Sequence, residues 1–418
     1  MSEYELNTKV RALIDQGVTI TNPFTVEIGG EVMLERIARQ GVCLHSGTRI
    51  FGERTLICPG AKIGCEGPVT LENCTVGPQV ELNGGFFKSS AFLSRVKIAA
   101  GAYVREGCLL EEGARGGHTV GLKQTILFPF VTLGSLINFC DCFMAGGSSE
   151  KNHSEVGSSY VHFNYTPNQD KATPSLLGDV PRGVMLREEV IFLGGQGGLV
   201  GPARVDYGAV IPAGRVVRRN NPEADGTVKK TYQRGSQRRF VTVAYNNIRY
   251  LANLLALREW YLHVRRPFFQ VEPWGVELHA GALAVINANI EERLKRFYDL
   301  ALRPGPLESE KGTKPTEEDG LASRQREELL KNWPQLSRIL SVVSVGKENI
   351  KERTAFLAAI TAQLDGGRTD YLEAIRTIDQ DDCRRGTGWL AGIVEETVNE
   401  AWRLLPSCPR DFDSGYNG

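Results

Sequence analysis

The sequence lacks an excess of charge of either sign, and it lacks any long apolar run. Its 418 residues include 49 Lys and Arg and 49 Asp and Glu, so the formal net charge at pH 7 is zero. A balanced charge gives no general attraction to nucleic acid or to an anionic membrane, and we expect neither as a partner. No stretch approaches the roughly 20 apolar residues that a membrane helix needs. Because Met1 to Glu5 show no signal-peptide pattern, we expect a cytoplasmic protein.

Cysteine is present without the spacing of a zinc site or of a disulfide framework. The nine cysteines are an odd number, and several stand where a small apolar residue would serve. This usage is typical of free thiols in a reducing compartment. Cys140 and Cys142 form the one close pair, and no second pair accompanies them. We predict no metal site, because an ordinary strand accounts for the pair better than metal binding does.

Aliphatic residues recur every six positions in the first half of the chain, often with glycine three residues later. One run of hexads starts at Ile98, and a second extends to Val217; their aliphatic positions are Ile98, Val104, Leu110, Leu193, Leu199, Val205, Ile211 and Val217. Six residues make one short strand and a corner, and three such units make a triangular coil with the aliphatic residues inside. A single coil cannot bury its apolar face, so the coils must stack to form a core.

This period predicts a parallel β-helix of hexapeptide repeats over residues 28–219, followed by a C-terminal helical domain. The alternative is an antiparallel β-sandwich, whose strands would recur at irregular spacings of about 8–12 residues. The strict six-residue spacing favours the β-helix. We assign a left-handed coil from the fold family, since the spacing itself does not show handedness.

Helical patterns flank the repeat. Residues 4–16 have apolar residues at helical spacing, and a longer helical pattern begins near Ser236 and is expected to stop at Pro267. The arginines of this longer helix favour a solvated face, with an anion-binding face as the alternative. The predicted organisation is a leading segment (1–27), the β-helix (28–219), a connector with long helices (220–302), a linker (303–323) and a C-terminal helical region (324–418).

The second half of the repeat resembles a known family. The stretch from Ile191 to Val217 and the Asn164–Tyr165 pair are similar to the acetyltransferase half of the bifunctional bacterial enzyme UDP-N-acetylglucosamine pyrophosphorylase/glucosamine-1-phosphate acetyltransferase. Lys171 follows the pair at nearly the family spacing. The polar segment from Asn164 to Lys171 departs from the hexad, so we expect it to leave the prism. The chain also resembles stand-alone proteins related to UDP-N-acetylglucosamine pyrophosphorylase. The resemblance is close over about 60 residues and loose over about 190.

The resemblance implies a homotrimer of parallel prisms that binds acetyl-CoA and an amino sugar phosphate in grooves between neighbours. Asn164 and Tyr165 would contact the sugar, and Lys171 would lie near its phosphate. Gly195 and Ala213 match positions whose backbones line the acetyl-CoA groove; a serine is usual where Gly195 stands. Arg218, directly after the last repeat, is a further candidate for binding the cofactor.

The sequence departs from the family at the catalytic base. Asp141 stands where the family has its histidine, provided that no gap intervenes, and the uridyltransferase domain has no counterpart. An aspartate with an ordinary pKa is a poor base at neutral pH. The other candidate bases are His118, His153 and His162. His162 lies two residues before Asn164, so strand alternation would place both side chains on one face.

Two functions from different classes therefore fit the sequence. The first is an acyl-CoA-dependent acyltransferase that acts on an amino sugar phosphate or a sugar nucleotide. The second is a catalytically silent β-helix trimer that binds sugar nucleotides or protein partners. Retention of Asn164, Tyr165 and Lys171 favours the first, and the aspartate at position 141 favours the second. Nucleotidyl transfer is the weakest reading, because its domain is missing.

Overall fold

A computed structural model describes residues 6–161, 174–200, 203–217, 237–302, 317–343 and 346–409. Its first part is a parallel β-solenoid of about 10 turns, and its second part is helical. This confirms the predicted β-helix followed by helices. Every pairing between successive coils is parallel, which excludes the β-sandwich alternative. The left-handed sense of the coil stays a prediction.

The solenoid is a prism with three faces. Face 1 is one sheet of 10 parallel strands, Thr19–Ile20, Cys43–Leu44, Lys62–Ile63, Glu81–Leu82, Lys97–Ile98, Arg115–Gly116, Thr132–Leu133, Glu155–Val156, Phe192–Leu193 and Val210–Ile211. Its first strand pairs with Cys43–Leu44, so the solenoid begins earlier than the residue 28 that the repeat predicts. A short antiparallel hairpin, Gly147–Ser149 with Asn152–His153, is inserted before the eighth strand.

Faces 2 and 3 belong to one sheet, because two long strands, Val120–Leu127 and Ile137–Met144, cross the corner between them. The other strands of face 2 are Glu27–Ile28, Arg49–Phe51, Val69–Glu72, Gly85–Lys88, Ala102–Val104, Tyr160–Val161, Gly198–Leu199 and Val216–Val217. Those of face 3 are Leu56–Ile57, Thr75–Val76, Ala91–Phe92, Leu109–Leu110, Ser175–Leu177 and Arg204–Val205.

The hexad residues form the core of the prism, as the repeat predicts. Ile98, Val104 and Leu110 are fully buried, and the residues of the second run are buried as well. The glycines three positions after these residues stand at corners with φ of 79°, 81° and 67°, in a region that residues with a side chain rarely adopt. The six-residue period therefore sets both the core and the corners.

The helices are α1 (Thr8–Asp15), α2 (Val180–Gly183), α3 (Gln237–Trp260), α4 (Arg266–Gln270), α5 (Gly275–Leu302), α6 (Glu317–Ile339), α7 (Lys347–Asp365), α8 (Tyr371–Thr377) and α9 (Gln380–Arg403). Short 3₁₀ turns occupy Pro23–Thr25 and Leu34–Arg36. Helix α6 begins within the segment predicted as a linker. In the described part of the chain, no helix is long and apolar enough to cross a membrane.

The prediction that Pro267 stops the long helix is wrong. A π-helical turn, Tyr261–Arg265, continues α3 directly into α4. Pro267 lies in the first turn of α4, where the N–H group that proline lacks would have no helical partner. The proline is therefore accommodated, and the chain turns back only at the α4–α5 connection.

Helices α3 and α5 pack against face 3. Helix α5 lies along Thr75–Val76, Ala91–Phe92 and Leu109–Leu110, and α3 contacts Ser175–Leu177. The approach is close, because a Cβ added to Gly281 of α5 would lie 2.2 Å from Oγ1 of Thr75. The helical region thus covers one face of the prism.

Candidate functional site

The predicted site residues fall into two groups. Those that the structure describes are Asp141, His118, Gly195 and Ala213. Those outside the described residues are His162, Asn164, Tyr165, Lys171 and Arg218.

An insertion occurs at one corner between face 2 and face 3. Val161 pairs with Phe139, and Ser175 pairs with Cys142, on neighbouring coils. Only Cys140 and Asp141 separate the paired residues on the earlier coil, whereas residues 162–174 separate them on the later one. We call this place the loop corner (Cys140, Asp141 and 162–174). It is where the polar segment that the sequence singles out is inserted.

Asp141 occupies the loop corner with a φ of 54°, a left-handed conformation that aspartate tolerates better than most residues. Its side chain is buried and forms ion pairs with Arg293 and Arg296 of helix α5. The Arg296 Nη1 atom lies 3.3 Å from Oδ2. These contacts tie the helical region to the solenoid. A carboxylate held by two guanidinium groups would have to give up an ion pair before it could accept a proton.

A second corner, between face 1 and face 2, brings Gly195 and Ala213 together. They stand on successive coils, and the Gly214 N–H donates to the Gly195 carbonyl at 2.8 Å. A Cβ added to Gly194 would lie 2.3 Å from the Ala213 nitrogen, and one added to Gly157 would lie 2.5 Å from the Gly195 nitrogen. We call this set the glycine corner (Gly157, Gly194, Gly195 and Ala213). A side chain on Gly157 or Gly194 would collide with the backbone of the next coil.

The glycine corner offers backbone to an extended ligand. Ala213 is exposed, and Gly195 is half-buried. A Cβ on Gly195 would lie 3.3 Å from the Ser158 nitrogen, a tight contact that leaves little room for the serine usual at this position. Exposed backbone amides and carbonyls with few side chains over them suit close approach by a ligand.

His118 lies at a corner between the same two faces, but three coils earlier. It is exposed, and its Nδ1 atom is 3.4 Å from Oγ1 of Thr119. At about 4.8 Å per coil, roughly 14 Å separates its coil from that of Gly195. His153 lies in the inserted hairpin, with Nδ1 at 2.9 Å from the Glu150 carbonyl. Neither histidine is brought to the glycine corner.

The glycine corner and the loop corner bound face 2 on opposite sides. The strands between them are Tyr160–Val161 and Gly198–Leu199, which pair directly. The structure therefore brings Gly195 and Ala213 together and sets Asp141 at the far edge of the same face.

Cys140 and Cys142 flank Asp141 on one strand. Cys142 is buried, and burial raises the pKa of its thiol well above the ordinary range, which keeps it from acting as a thiolate ligand or nucleophile. Among the described residues, no group of three or more His, Cys, Asp or Glu side chains could hold a metal ion.

A buried charged cluster, which sequence reasoning missed, joins the solenoid to the helical region. The Arg265 guanidinium forms two hydrogen bonds to Glu112, and the Tyr261 hydroxyl donates to Glu111. The Tyr371 ring stacks 3.8 Å from the guanidinium carbon. The prediction of a solvated face is therefore wrong for Arg265. The pairs span more than 100 residues of sequence, so no local pattern signals them.

Burial sets the protonation of this cluster. It raises the pKa of Glu111 to about 7, although Arg265 opposes the shift. The neighbouring carboxylate of Glu112 adds to the shift, because a second negative charge nearby disfavours ionisation of Glu111.

Comparison with known proteins finds sequence similarity to bifunctional GlmU proteins. No family model matches it. It is 25% identical over 230 residues to the bifunctional protein GlmU of Thermodesulfovibrio yellowstonii, covering 54% of this chain and 44% of that protein. It is 26% identical over 221 residues to GlmU of Thermotoga petrophila, covering 51% and 42%. GlmU of Acinetobacter baylyi is 24% identical over 250 residues, covering 56% and 47%.

The chain spans less than half the length of these curated relatives. At this identity and coverage, the similarity shows a distant relationship over part of each protein. It agrees with the resemblance seen in the repeat. The chain is distantly homologous to bifunctional GlmU proteins over about half of its length.

Proposed function

We propose that this protein is an acyl-CoA-dependent acyltransferase that acts on an amino sugar phosphate or a sugar nucleotide, with acetyl-CoA as the acyl donor. One observation carries the proposal. Gly195 and Ala213 meet at the glycine corner, and the insertion of residues 162–174 stands at the opposite edge of the same face. We take the first as the donor-binding edge of the face and the second as its acceptor-binding edge.

The glycine corner is the proposed site of acetyl-CoA. An extended pantetheine arm lies most easily against backbone without side chains, and the close stacking of Gly194 on Ala213 provides such a surface. A fixed groove positions the thioester for attack, which accounts for a large part of the rate of a two-substrate reaction. Arg218 directly follows the last described strand of face 2, and we propose that it pairs with a phosphate of the cofactor.

The loop corner is the proposed site of the acceptor. Asn164, Tyr165 and Lys171 carry the amide, phenol and ammonium groups that recognise sugar hydroxyls and a phosphate. Their roles rest on the family resemblance, since they lie outside the described residues. The support from the structure is the place of the insertion, because polar loops that leave a regular solenoid commonly hold function.

We propose His162 as the general base. It directly follows Val161, at the end of a strand of face 2. The coil of His118, in contrast, lies about 14 Å along the prism from the coil of Gly195. Asp141 is a weaker candidate, since Arg293 and Arg296 hold its carboxylate. A histidine near neutral pKa accepts the acceptor's proton more readily than a paired aspartate does.

We further propose a homotrimer formed through the solenoid. The chain's own helices lie on face 3, so a contact between copies would use faces 1 and 2 and the glycine corner. Face 1 carries the ion pairs of Lys62 and Lys97 with Glu81, and face 2 carries the ion pair of Lys88 with Glu72 but also exposes stacked aromatic rings. Face 2 is therefore the better candidate for the subunit interface.

One observation favours a second candidate function, a catalytically silent protein that binds sugar nucleotides or protein partners. The position of the family's catalytic histidine holds Asp141, and its side chain serves to dock helix α5. A protein that had lost the reaction would be free to use the position in this way. Such a protein would keep the binding surfaces but would not catalyse acyl transfer.

Calorimetric titration of acetyl-CoA tests the donor site. The wild type is expected to bind acetyl-CoA, and Ala213→Trp is expected to bind at least tenfold more weakly, because the indole would cover the glycine corner. Ala100→Trp is the matched control, since Ala100 stands at a corner between the same two faces several coils away. Absence of binding by the wild type, or equal weakening by both variants, would contradict the donor site.

A further inference from the structure

A cleft of about 480 Å³ lies where the first coils of the solenoid meet the turn between helices α4 and α5. We call it the N-terminal cleft, and its principal lining residues are Trp274, Gln16, Glu35, Arg39 and Gln40. Its volume falls within the range of about 300–1,000 Å³ that is usual for small-molecule sites. The function proposed above does not use it.

Trp274 lines this cleft, is half-buried against the hydrophobic core, and has a strained backbone. Its φ is 67°, and a bulky residue in the left-handed region is a genuine outlier. The residue directly precedes helix α5, and its carbonyl accepts the Leu278 N–H at 3.0 Å. Glycine would satisfy this turn without strain, so the turn alone gives no reason for a tryptophan. Strain of this kind commonly persists where the side chain has a task.

Four polar residues line the cleft beside Trp274; Glu35, Arg39 and Gln40 are exposed, and Gln16 is half-buried. Within the described part of the chain, the side chains of Gln16, Glu35, Arg39 and Gln40 form no hydrogen bond or ion pair. Beneath them, Ile37 forms a buried apolar floor. Two carboxamides, one carboxylate and one guanidinium thus surround a flat ring and offer donors and acceptors to a ligand.

We propose that the N-terminal cleft binds a neutral saccharide ring, stacked on the indole of Trp274. The C–H face of a pyranose packs on an aromatic ring, while its hydroxyl groups need the mixture of donors and acceptors that Gln16 and Gln40 supply. The charges of Glu35 and Arg39 cancel, so the cleft gives no net attraction to a phosphate. An uncharged sugar fits this lining better than a sugar phosphate or a nucleotide.

This site is separate from the proposed acyl-transfer site. Lys62–Ile63, beside the cleft, and Phe192–Leu193, beside the glycine corner, are six coils apart along face 1. At about 4.8 Å per coil, the two sites are roughly 30 Å apart. The cleft is suited to hold the protein on a glycan, or to hold a distant part of a longer substrate.

Saturation-transfer NMR and calorimetry on the full chain test the proposal, with glucose, N-acetylglucosamine, maltose and cellobiose as probes and with uridine and inorganic phosphate as comparisons. At least one saccharide is expected to bind the wild type. Trp274→Gly is expected to weaken that binding at least tenfold, and Gln16→Ala and Gln40→Ala severalfold. Trp274→Gly relieves the strain at a φ of 67° but also removes the packing of a half-buried ring, so its melting temperature is measured beside that of the wild type to show that the variant is folded.

Val276→Ala is the control, since Val276 is 60% exposed near the turn without lining the cleft. It should bind as the wild type does, and so should Ala213→Trp, which affects only the distant donor site. The proposal is overturned if no saccharide binds the wild type, or if a folded Trp274→Gly binds as tightly as the wild type. Tighter binding of uridine or phosphate than of any saccharide would also overturn it.

Discussion

The carboxylate of Asp141 on the solenoid and the guanidinium of Arg293 on helix α5 form an ion pair in which both side chains are buried, with exposures of 6% and 2%. Arg296 adds a second, more exposed contact. One helical turn earlier, the Asn289 side chain donates to the Gly107 carbonyl at 2.9 Å. These contacts hold helix α5 against the corner between faces 2 and 3, where residues 162–174 are inserted.

Removing the charge of Asp141 should therefore destabilise the protein strongly. Asp141→Asn leaves Arg293 buried without its counter-ion, and breaking a buried pair in this way lowers the free energy of unfolding by about 3–5 kcal/mol. Arg296→Met should have a smaller effect, because Arg296 is partly exposed. Urea unfolding of Asp141→Asn, of Arg293→Met and of the double variant measures the coupling free energy between the two side chains. A coupling near zero would contradict the docking role of the pair.

Glu111 should make the stability depend on pH near neutrality. Its ordinary pKa is 4.5, and burial raises the pKa in the folded protein to about 7. The folded state therefore binds more protons than the unfolded state between these values. The stabilisation is complete below about pH 4.5 and is lost as the pH rises through 7.

The measurement is the free energy of unfolding of the wild type and of Glu111→Gln between pH 5 and 8. The difference between the two proteins isolates Glu111 from Glu112 and Glu272, which face the same cluster. Relative to the variant, the wild type should lose about 2–3 kcal/mol over this range. Parallel profiles for the two proteins would show that Glu111 does not titrate as described.

Two glycine-to-alanine changes in helices should have opposite effects. Gly281→Ala places a Cβ 2.2 Å from Oγ1 of Thr75, a short and buried side chain that cannot move away easily. This variant should lower the free energy of unfolding by about 1–3 kcal/mol. Gly388→Ala in α9 meets nothing within 4 Å and should raise it by about 0.5–1 kcal/mol. Stabilisation by both variants would contradict the close docking of α5.

The exposed aromatic rings of face 2 test the proposed trimer. Phe86 and Tyr103 stack with their ring centroids 5.2 Å apart, and Tyr103 is 55% exposed. Tyr103→Glu should shift the mass measured by light scattering from trimer to monomer, because a carboxylate would be buried in the contact. Val342→Glu, at a site 61% exposed in the helical region, should leave the trimer intact. A trimer in Tyr103→Glu would place the interface elsewhere.

The sequence predicts the solenoid well because its information is local and repeated. Each hexad contains one aliphatic residue that is expected to point inward, such as Val104, and often one glycine expected at a corner, such as Gly107. Val104 is buried and Gly107 has a positive φ, as predicted. The polar segment near Asn164 is likewise predicted to leave the repeat, and its flanking strands place an insertion there. Among the described residues, the first strand of the solenoid, Thr19–Ile20, precedes the predicted start at residue 28.

The contacts between the two halves could not be predicted, because they join residues far apart in the chain. Asp141 and Arg293 are 152 positions apart, and Arg265 and Glu112 are 153 apart. A single sequence shows a charged residue on a helix without showing its partner, so Arg265 was expected on a solvated face. The position of Pro267 could not be predicted either, because a proline can end a helix or occupy the first turn of a new one. The sequence pattern around Pro267 does not distinguish these two cases.

The acyltransferase proposal is tested by the release of CoA from acetyl-CoA in the presence of a panel of amino sugar phosphates and sugar nucleotides. We expect acceptor-dependent release by the wild type. Asn164→Ala should lower kcat/KM at least tenfold, and His162→Asn should lower kcat about 100-fold, the usual contribution of a general base. Release that is absent for every acceptor, from a folded protein, would contradict the acyltransferase and leave the silent binding protein as the better account.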